Sequence, residues 1–178
     1  TLLFLQTIAL GLAALPLYRL SKHLLDQNWA LIISILYLFY PALGYTNLFE
    51  FHPTAFATFF LMLTFYYYEE GSFIKCVIFM VLSMLCQENI PLAVIMFGAL
   101  AIFNRRPLKW IIVPIFMGGL YFLIALSAMS YFNNNTVQFF TLYNHLGNTP
   151  LEIILNILNH PSLLIKTLFR RECFLYLL

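Results

Sequence analysis

The stretch FIKCVIFMVLSMLCQENIPLAVIMFGALAIF, residues 73–103, decides how the chain is organised. A helix crosses about 30 Å of hydrocarbon with roughly 20 apolar residues, about 17–25 being tolerated. This run is too long for one such helix and carries Gln87-Glu88-Asn89 near its middle. Lys and Arg gather in cytoplasmic loops. Lys75 lies at one end of the run, and Arg105, Arg106 and Lys109 follow the other. They share a side only if the run crosses an even number of times. The positive residues therefore predict a hairpin of two short helices, 73–86 and 90–103, with Gln87-Glu88-Asn89 at its outward tip. Pro91 then sits in the first turn of the second helix, where its missing N–H costs nothing. The competing reading is one long span with a buried polar belt, which strands the Arg pair outside.

The same length rule, applied outward from that stretch, predicts spans at 2–20, 29–48, 55–68 and 110–132. Pro41 interrupts the second, Tyr66-Tyr67-Tyr68 closes the third as an interfacial aromatic belt, and Pro114 and Gly118-Gly119 lie inside the last. Arg19 and Lys22 follow the first span, whereas the opposite loops, 49–54 and 133–149, contain no Lys or Arg. Composition points the same way. The 178 residues are 62% hydrophobic and 9% charged, with a mean hydropathy of +0.88. Nine Lys and Arg and seven Asp and Glu cannot cover the surface of a soluble domain of this size. The expected fold is an all-α, polytopic transmembrane helix bundle.

A net charge of +2, with no basic tract interleaved with aromatics, gives nucleic acid no footprint. Cys76, Cys86 and Cys173 form neither a pairing framework nor a metal-type spacing. The chain opens at Thr1 inside one apolar run and closes on Phe174-Leu175-Tyr176-Leu177-Leu178, the start of another from about residue 172. We therefore expect a piece of a longer polytopic protein. The intervening segment, 133–171, reads as outward-facing and not as a span. Thr149-Pro150-Leu151-Glu152 is a helix start with N-cap, N1 proline and capping-box glutamate. Leu151, Ile154, Leu155 and Leu158 then share a face opposite Glu152, Asn156 and Asn159. That pattern suits a helix lying in the membrane interface, or one packed on neighbouring loops. His160-Pro161 ends it.

Ionisable groups at membrane depth are costly and tend to face a cavity or a partner, which singles out three clusters. In Asn47-Leu48-Phe49-Glu50-Phe51-His52-Pro53, Glu50 and His52 alternate with Phe49 and Phe51. In an extended loop both polar groups point one way. They could hold a divalent metal ion or act as acid and base; a solvated loop or a helix cap accounts for them more simply, since two ligands do not specify a metal site. In Gln87-Glu88-Asn89 a carboxylate could take the proton of an attacking hydroxyl or bond a sugar, while the bland reading is Asn89 capping the helix that follows. His145, Lys166, Arg170 and Arg171 lie outward, against the topology bias, and could clamp an anionic head group or anchor the next span. No P-loop, dinucleotide-binding glycine motif, nucleophile elbow or HExxH is present.

These residues carry a resemblance. Tyr40-Pro41 followed by Asn47 to Pro53 resembles the NLF(D/E)FHP signature of the DUF2079 membrane proteins, and Leu85-Cys86-Gln87-Glu88-Asn89 resembles that family's LCKED segment. His145-Leu146-Gly147, then Pro150 and His160-Pro161, is similar to its later outward region. The family is grouped with the GT-C glycosyltransferases, polytopic enzymes that move a sugar from a polyprenyl-phosphate donor on the outer face. The resemblance implies a GT-C-like bundle in the plasma membrane, with membrane lipid and a polyprenyl-phosphate sugar as partners. It implies that Glu50, His52 and Glu88 are catalytic and that Asn47, Gln87, Asn89, His145, Lys166, Arg170 and Arg171 bind substrate. It also implies that the principal carboxylates of such enzymes, in the first outward loop, precede this stretch. Gln87 and Asn89 depart from the family pattern, which has Lys and Asp there, and this removes an ion pair from the tip. A transporter or flippase of a lipid or amphiphile would use the same ingredients, and a non-catalytic membrane protein would use them structurally.

Overall fold

A computed structural model describes residues 2–48 and 50–132, and every regular element among them is helical. The first apolar run gives α1 (Leu2–Leu12) and α2 (Ala14–Leu24). Pro16 has no N–H for the Leu12 carbonyl, so the backbone breaks register at Ala13 while staying in the helical region. Together they are long and apolar enough to cross a membrane. The second run gives α3 (Gln27–Leu38) and α4 (Pro41–Leu48). Tyr40, preceding Pro41, is pushed out of helix, and Pro41 restarts it from the first position. This pair is also long enough to span.

Next comes α5 (Thr54–Glu70), which ends in a Schellman motif. Gly71, at φ +78°, donates to Tyr68, and Ser72 donates to the Tyr67 carbonyl at 3.0 Å. The chain reverses into α6 (Phe73–Met84), turns through residues 85–89, and returns as α7 (Ile90–Phe103). The 73–103 stretch is thus two helices. α7 closes with the same two-bond pattern as α5: Arg106 donates to the Ala101 carbonyl at 2.9 Å and Arg105 to Ile102 at 3.1 Å. Here Arg105, at φ +50°, occupies the left-handed position that favours glycine. Finally α8 (Leu108–Phe132) is a long apolar helix with Pro114 inside it. Helices α1 to α7, with α8 up to Ala125, make one compact unit; residues 126–178 make a second, of which the end of α8 is described.

Packing within the first unit is antiparallel. The Tyr37 hydroxyl of α3 donates to the Leu10 carbonyl of α1 at 3.1 Å. Phe79 of α6 lies between Tyr67 (5.4 Å, nearly parallel) and Phe60 (6.4 Å) of α5, and the Cys76 thiol donates to the Thr64 carbonyl. Tyr68, Cys76, Met80, Met84, Val94, Ala101 and Trp110 form the buried core, drawn from α5 to α8. Helices α7 and α8 touch through glycines. A Cβ on Gly98 would lie 2.5 Å from Ile115 and 2.9 Å from the Ile111 carbonyl; one on Gly118 would lie 2.8 Å from the Pro91 carbonyl. Small residues at a crossing let backbones approach closely in lipid, where van der Waals contact drives association. Large apolar side chains such as Phe4, Leu36, Phe103 and Phe116 point outward, each more than 60% exposed. A surface of this kind is stable only against hydrocarbon. The chain is an all-α membrane helix bundle.

Antiparallel packing sorts the charges. One end of the bundle carries Arg19, Lys22, Lys75, Arg105, Arg106 and Lys109, all the Lys and Arg among the described residues, with Asp26, Glu69 and Glu70. The other carries Glu50, His52 and Glu88 and no Lys or Arg among the described residues. At the basic end Arg106 stacks over Tyr68 (4.4 Å) and Trp110 (5.1 Å) and pairs with Glu69 at 3.8 Å. Lys75 sits over Tyr67 and Lys109 over Phe73, so the starts of α6 and α8 are side by side.

Candidate functional site

The acidic end is organised by a residue that the sequence analysis did not single out. Gln6, fully buried on α1, donates its side-chain amide to the Thr46 carbonyl at 2.8 Å and accepts the His52 backbone N–H at 2.8 Å. One side chain therefore ties α1 to the end of α4 and to the loop beyond it. Beside it, the Thr7 hydroxyl lies 2.8 Å from the Asn47 side-chain oxygen and 2.9 Å from the Leu3 carbonyl. A hydroxyl has one proton, so these two acceptors share it. The signal for Gln6 and Thr7 is in the sequence: they are the polar pair inside the otherwise apolar run 2–14. A polar group at that depth is by default a functional hypothesis.

His52 is held in one tautomer. Its ring Nδ1 is hydrogen-bonded to the Glu50 carbonyl oxygen, which can only accept, so Nδ1 carries the proton. In the neutral ring the exposed Nε2 is then a free base. The ring turns back on its own loop, and no hydrogen bond or ion pair among the described residues joins it to the Glu50 carboxylate, which is exposed. Phe51 packs against Phe56 of α5 with ring centroids 6.0 Å apart, tying the loop to the start of that helix. Phe49 lies outside the described residues. Among those residues no three His, Cys, Asp or Glu side chains gather to hold a metal ion. Glu50 and His52 alone offer two donors, fewer than a metal site needs.

At the tip of the α6–α7 hairpin, Glu88 and Asn89 are exposed and Gln87 is half-buried. Asn89 stands at the N-cap of α7, yet its side chain makes no capping bond, so capping does not account for it. The Gln87 side-chain oxygen is buried without a hydrogen-bond partner among the described residues. A buried acceptor left unpaired costs about 1–3 kcal/mol, which makes it a place where a ligand donor is worth having. Because α5 begins where α6 ends, His52 and Glu88 occupy the same end of the bundle. No hydrogen bond or ion pair among the described residues links them.

A cleft of about 180 Å³ opens at this end between α1 and the α3–α4 break, lined by Thr7, Leu10, Gly11, Leu38, Leu43, Gly44 and Asn47. Neither Gly11 nor Gly44 has a neighbour within 4 Å of where a Cβ would sit, so both leave it open. Of the predicted site residues, the structure thus joins Asn47 and His52 through Gln6 and Thr7, and brings Gln87, Glu88 and Asn89 to the same end. His145, Lys166, Arg170 and Arg171, with the interfacial helix expected after Thr149, lie outside the described residues.

Neither a curated protein nor a solved structure matches the chain. A family model described as "Predicted membrane protein (DUF2079)" matches residues 1–178, the whole length, including the Asn47–Pro53 and Leu85–Asn89 segments just described. The chain belongs to the DUF2079 family of membrane proteins.

Proposed function

We propose that this chain is part of a GT-C-type glycosyltransferase of the plasma membrane, taking a sugar from a polyprenyl-phosphate donor at the acidic end of the bundle. The observation that carries this reading is His52: an exposed histidine with Nδ1 committed to the Glu50 carbonyl and Nε2 without a partner among the described residues, at the same end as Glu88. In the reaction the acceptor hydroxyl attacks the anomeric carbon. Its O–H proton passes to His52 Nε2, or to the Glu50 or Glu88 carboxylate, as the new C–O bond forms and the bond to the lipid phosphate breaks. The departing phosphate keeps that electron pair. Lys166, Arg170, Arg171 and His145 are the cations offered to it. Asn47, Asn89 and the unpaired Gln87 oxygen orient sugar hydroxyls.

The test is transfer itself. Full-length protein in vesicles with a polyprenyl-phosphate sugar should move the sugar to an acceptor. Of His52→Ala, Glu50→Gln and Glu88→Gln, the variant that removes the proton acceptor should lower turnover by about 100-fold or more, the range for a general base. Equal turnover in all four proteins overturns the assignment. Movement of the lipid between leaflets without a new glycosidic bond makes the protein a flippase.

A further inference from the structure

The basic end holds a second site. Arg19, Lys22 and His23 share one face of α2, at spacings of three and four residues. With Tyr66 of α5 they line a cleft of about 390 Å³. The other cations of this end are already engaged, apart from Arg105: Arg106 with Glu69, Tyr68 and Trp110, Lys75 with Tyr67, Lys109 with Phe73. Arg19 acts on the Tyr66 hydroxyl across the cleft, and none of Arg19, Lys22 and His23 forms an ion pair among the described residues. Of the carboxylates at this end, Asp26 is exposed at the start of α3 and forms no ion pair among the described residues. Glu69 takes Arg106, while Glu70 accepts from Ser72 at 3.1 Å and from the Tyr66 hydroxyl at 3.4 Å. Arg19 and Lys22, two cations on one face, repel each other unless an anion lies between them.

We propose that this cleft binds a phosphate group, that of an anionic membrane lipid or of a soluble phosphate ester. Arg19 supplies the fork that matches two phosphate oxygens, Lys22 a point charge, His23 a ring N–H donor, and Tyr66 an aromatic wall at the level of the interfacial belt. Basic pockets between helices at this level are where lipid head groups seat. The C-terminal dipole of α2 favours Lys22 and His23 without a ligand, but Arg19 is a turn further in. The site is at the opposite end of the bundle from the proposed sugar transfer and stands without it.

The experiment uses the full chain in detergent, with native mass spectrometry of bound phosphatidylglycerol against phosphatidylcholine and, separately, inorganic phosphate as competitor. Arg19→Gln/Lys22→Gln/His23→Gln should weaken phosphatidylglycerol binding by about tenfold or more, the loss of one or two charge-assisted contacts. Lys75→Gln/Arg105→Gln/Lys109→Gln removes three cations at the same end, one more than the first triple, and should leave binding within about twofold. Lys22→Gln alone should give an intermediate loss, so a triple variant that misfolds does not blunt the test. Displacement by inorganic phosphate with no lipid preference assigns the site to a soluble ester. Equal losses in the two triple variants, or no preference for either phosphate source over phosphatidylcholine, overturn the proposal.

Discussion

The Gln6 side-chain oxygen accepts the backbone N–H of His52 at 2.8 Å, across 46 residues of sequence. That bond holds the backbone of the loop carrying His52 against the first helix. Gln6→Leu orphans the His52 N–H and the Thr46 carbonyl together. Weighing soluble-protein and membrane magnitudes, the loss should be about 1–3 kcal/mol. Thermal unfolding in detergent checks it. Gln6→Glu keeps an acceptor for His52 and should lose less than Gln6→Leu.

His52 should be a single tautomer. Nitrogen NMR of the side chain at neutral-ring pH should show Nδ1 protonated and Nε2 bare. A mixture of tautomers would mean that the Glu50 carbonyl does not hold the ring.

The glycines of the α7–α8 crossing should be intolerant in proportion to what their Cβ meets. Gly98→Ala and Gly118→Ala press on backbone carbonyls and should destabilise by about 1–3 kcal/mol, the cost of overpacking. Gly119→Ala, with nothing within 4 Å, should be neutral or slightly stabilising. Unfolding midpoints of the three single variants make the comparison.

Arg105→Gly should stabilise. A non-glycine residue at positive φ costs about 1 kcal/mol or more, and Arg105 makes no hydrogen bond or ion pair among the described residues that its loss would break. The expected gain is roughly 1 kcal/mol, again from unfolding midpoints, and Arg105→Asn should recover part of it.

Cysteine labelling tests the sidedness. In intact cells, cysteines placed at Glu50 and Glu88 should react from one face, and cysteines at Arg105 and Lys109 from the other. Glu88 labelling together with Lys109 would break the antiparallel order of α7. The native Cys76, fully buried in the core, should stay silent throughout.

Much of the helical architecture was legible because its signals are local. Three consecutive polar residues followed by Pro91 interrupt an apolar run wherever they occur, and Pro41 breaks its helix for reasons internal to the backbone. Lys75 and Arg106, read as markers of one side, do lie at one end of the bundle. What stayed hidden depends on distant partners. Gln6 is one amide among leucines until Thr46 and His52 are folded onto it, 40 and 46 residues away. The role of Asn89 was misleading for the converse reason: the local pattern offers a cap, but the backbone there is already helical and the bond is not made. Pro16 breaks its helix as Pro41 does, yet its effect is a single residue, too slight to separate two spans.

Helix α6 rises only about 18 Å over its 12 residues, and α5 about 25 Å over 17, against the roughly 30 Å of an oily layer. Helices this short fit an oily layer only where it thins around them or where their shared end lies below its surface; in the second case a charge at Glu88 or His52 gains or loses energy with the membrane potential.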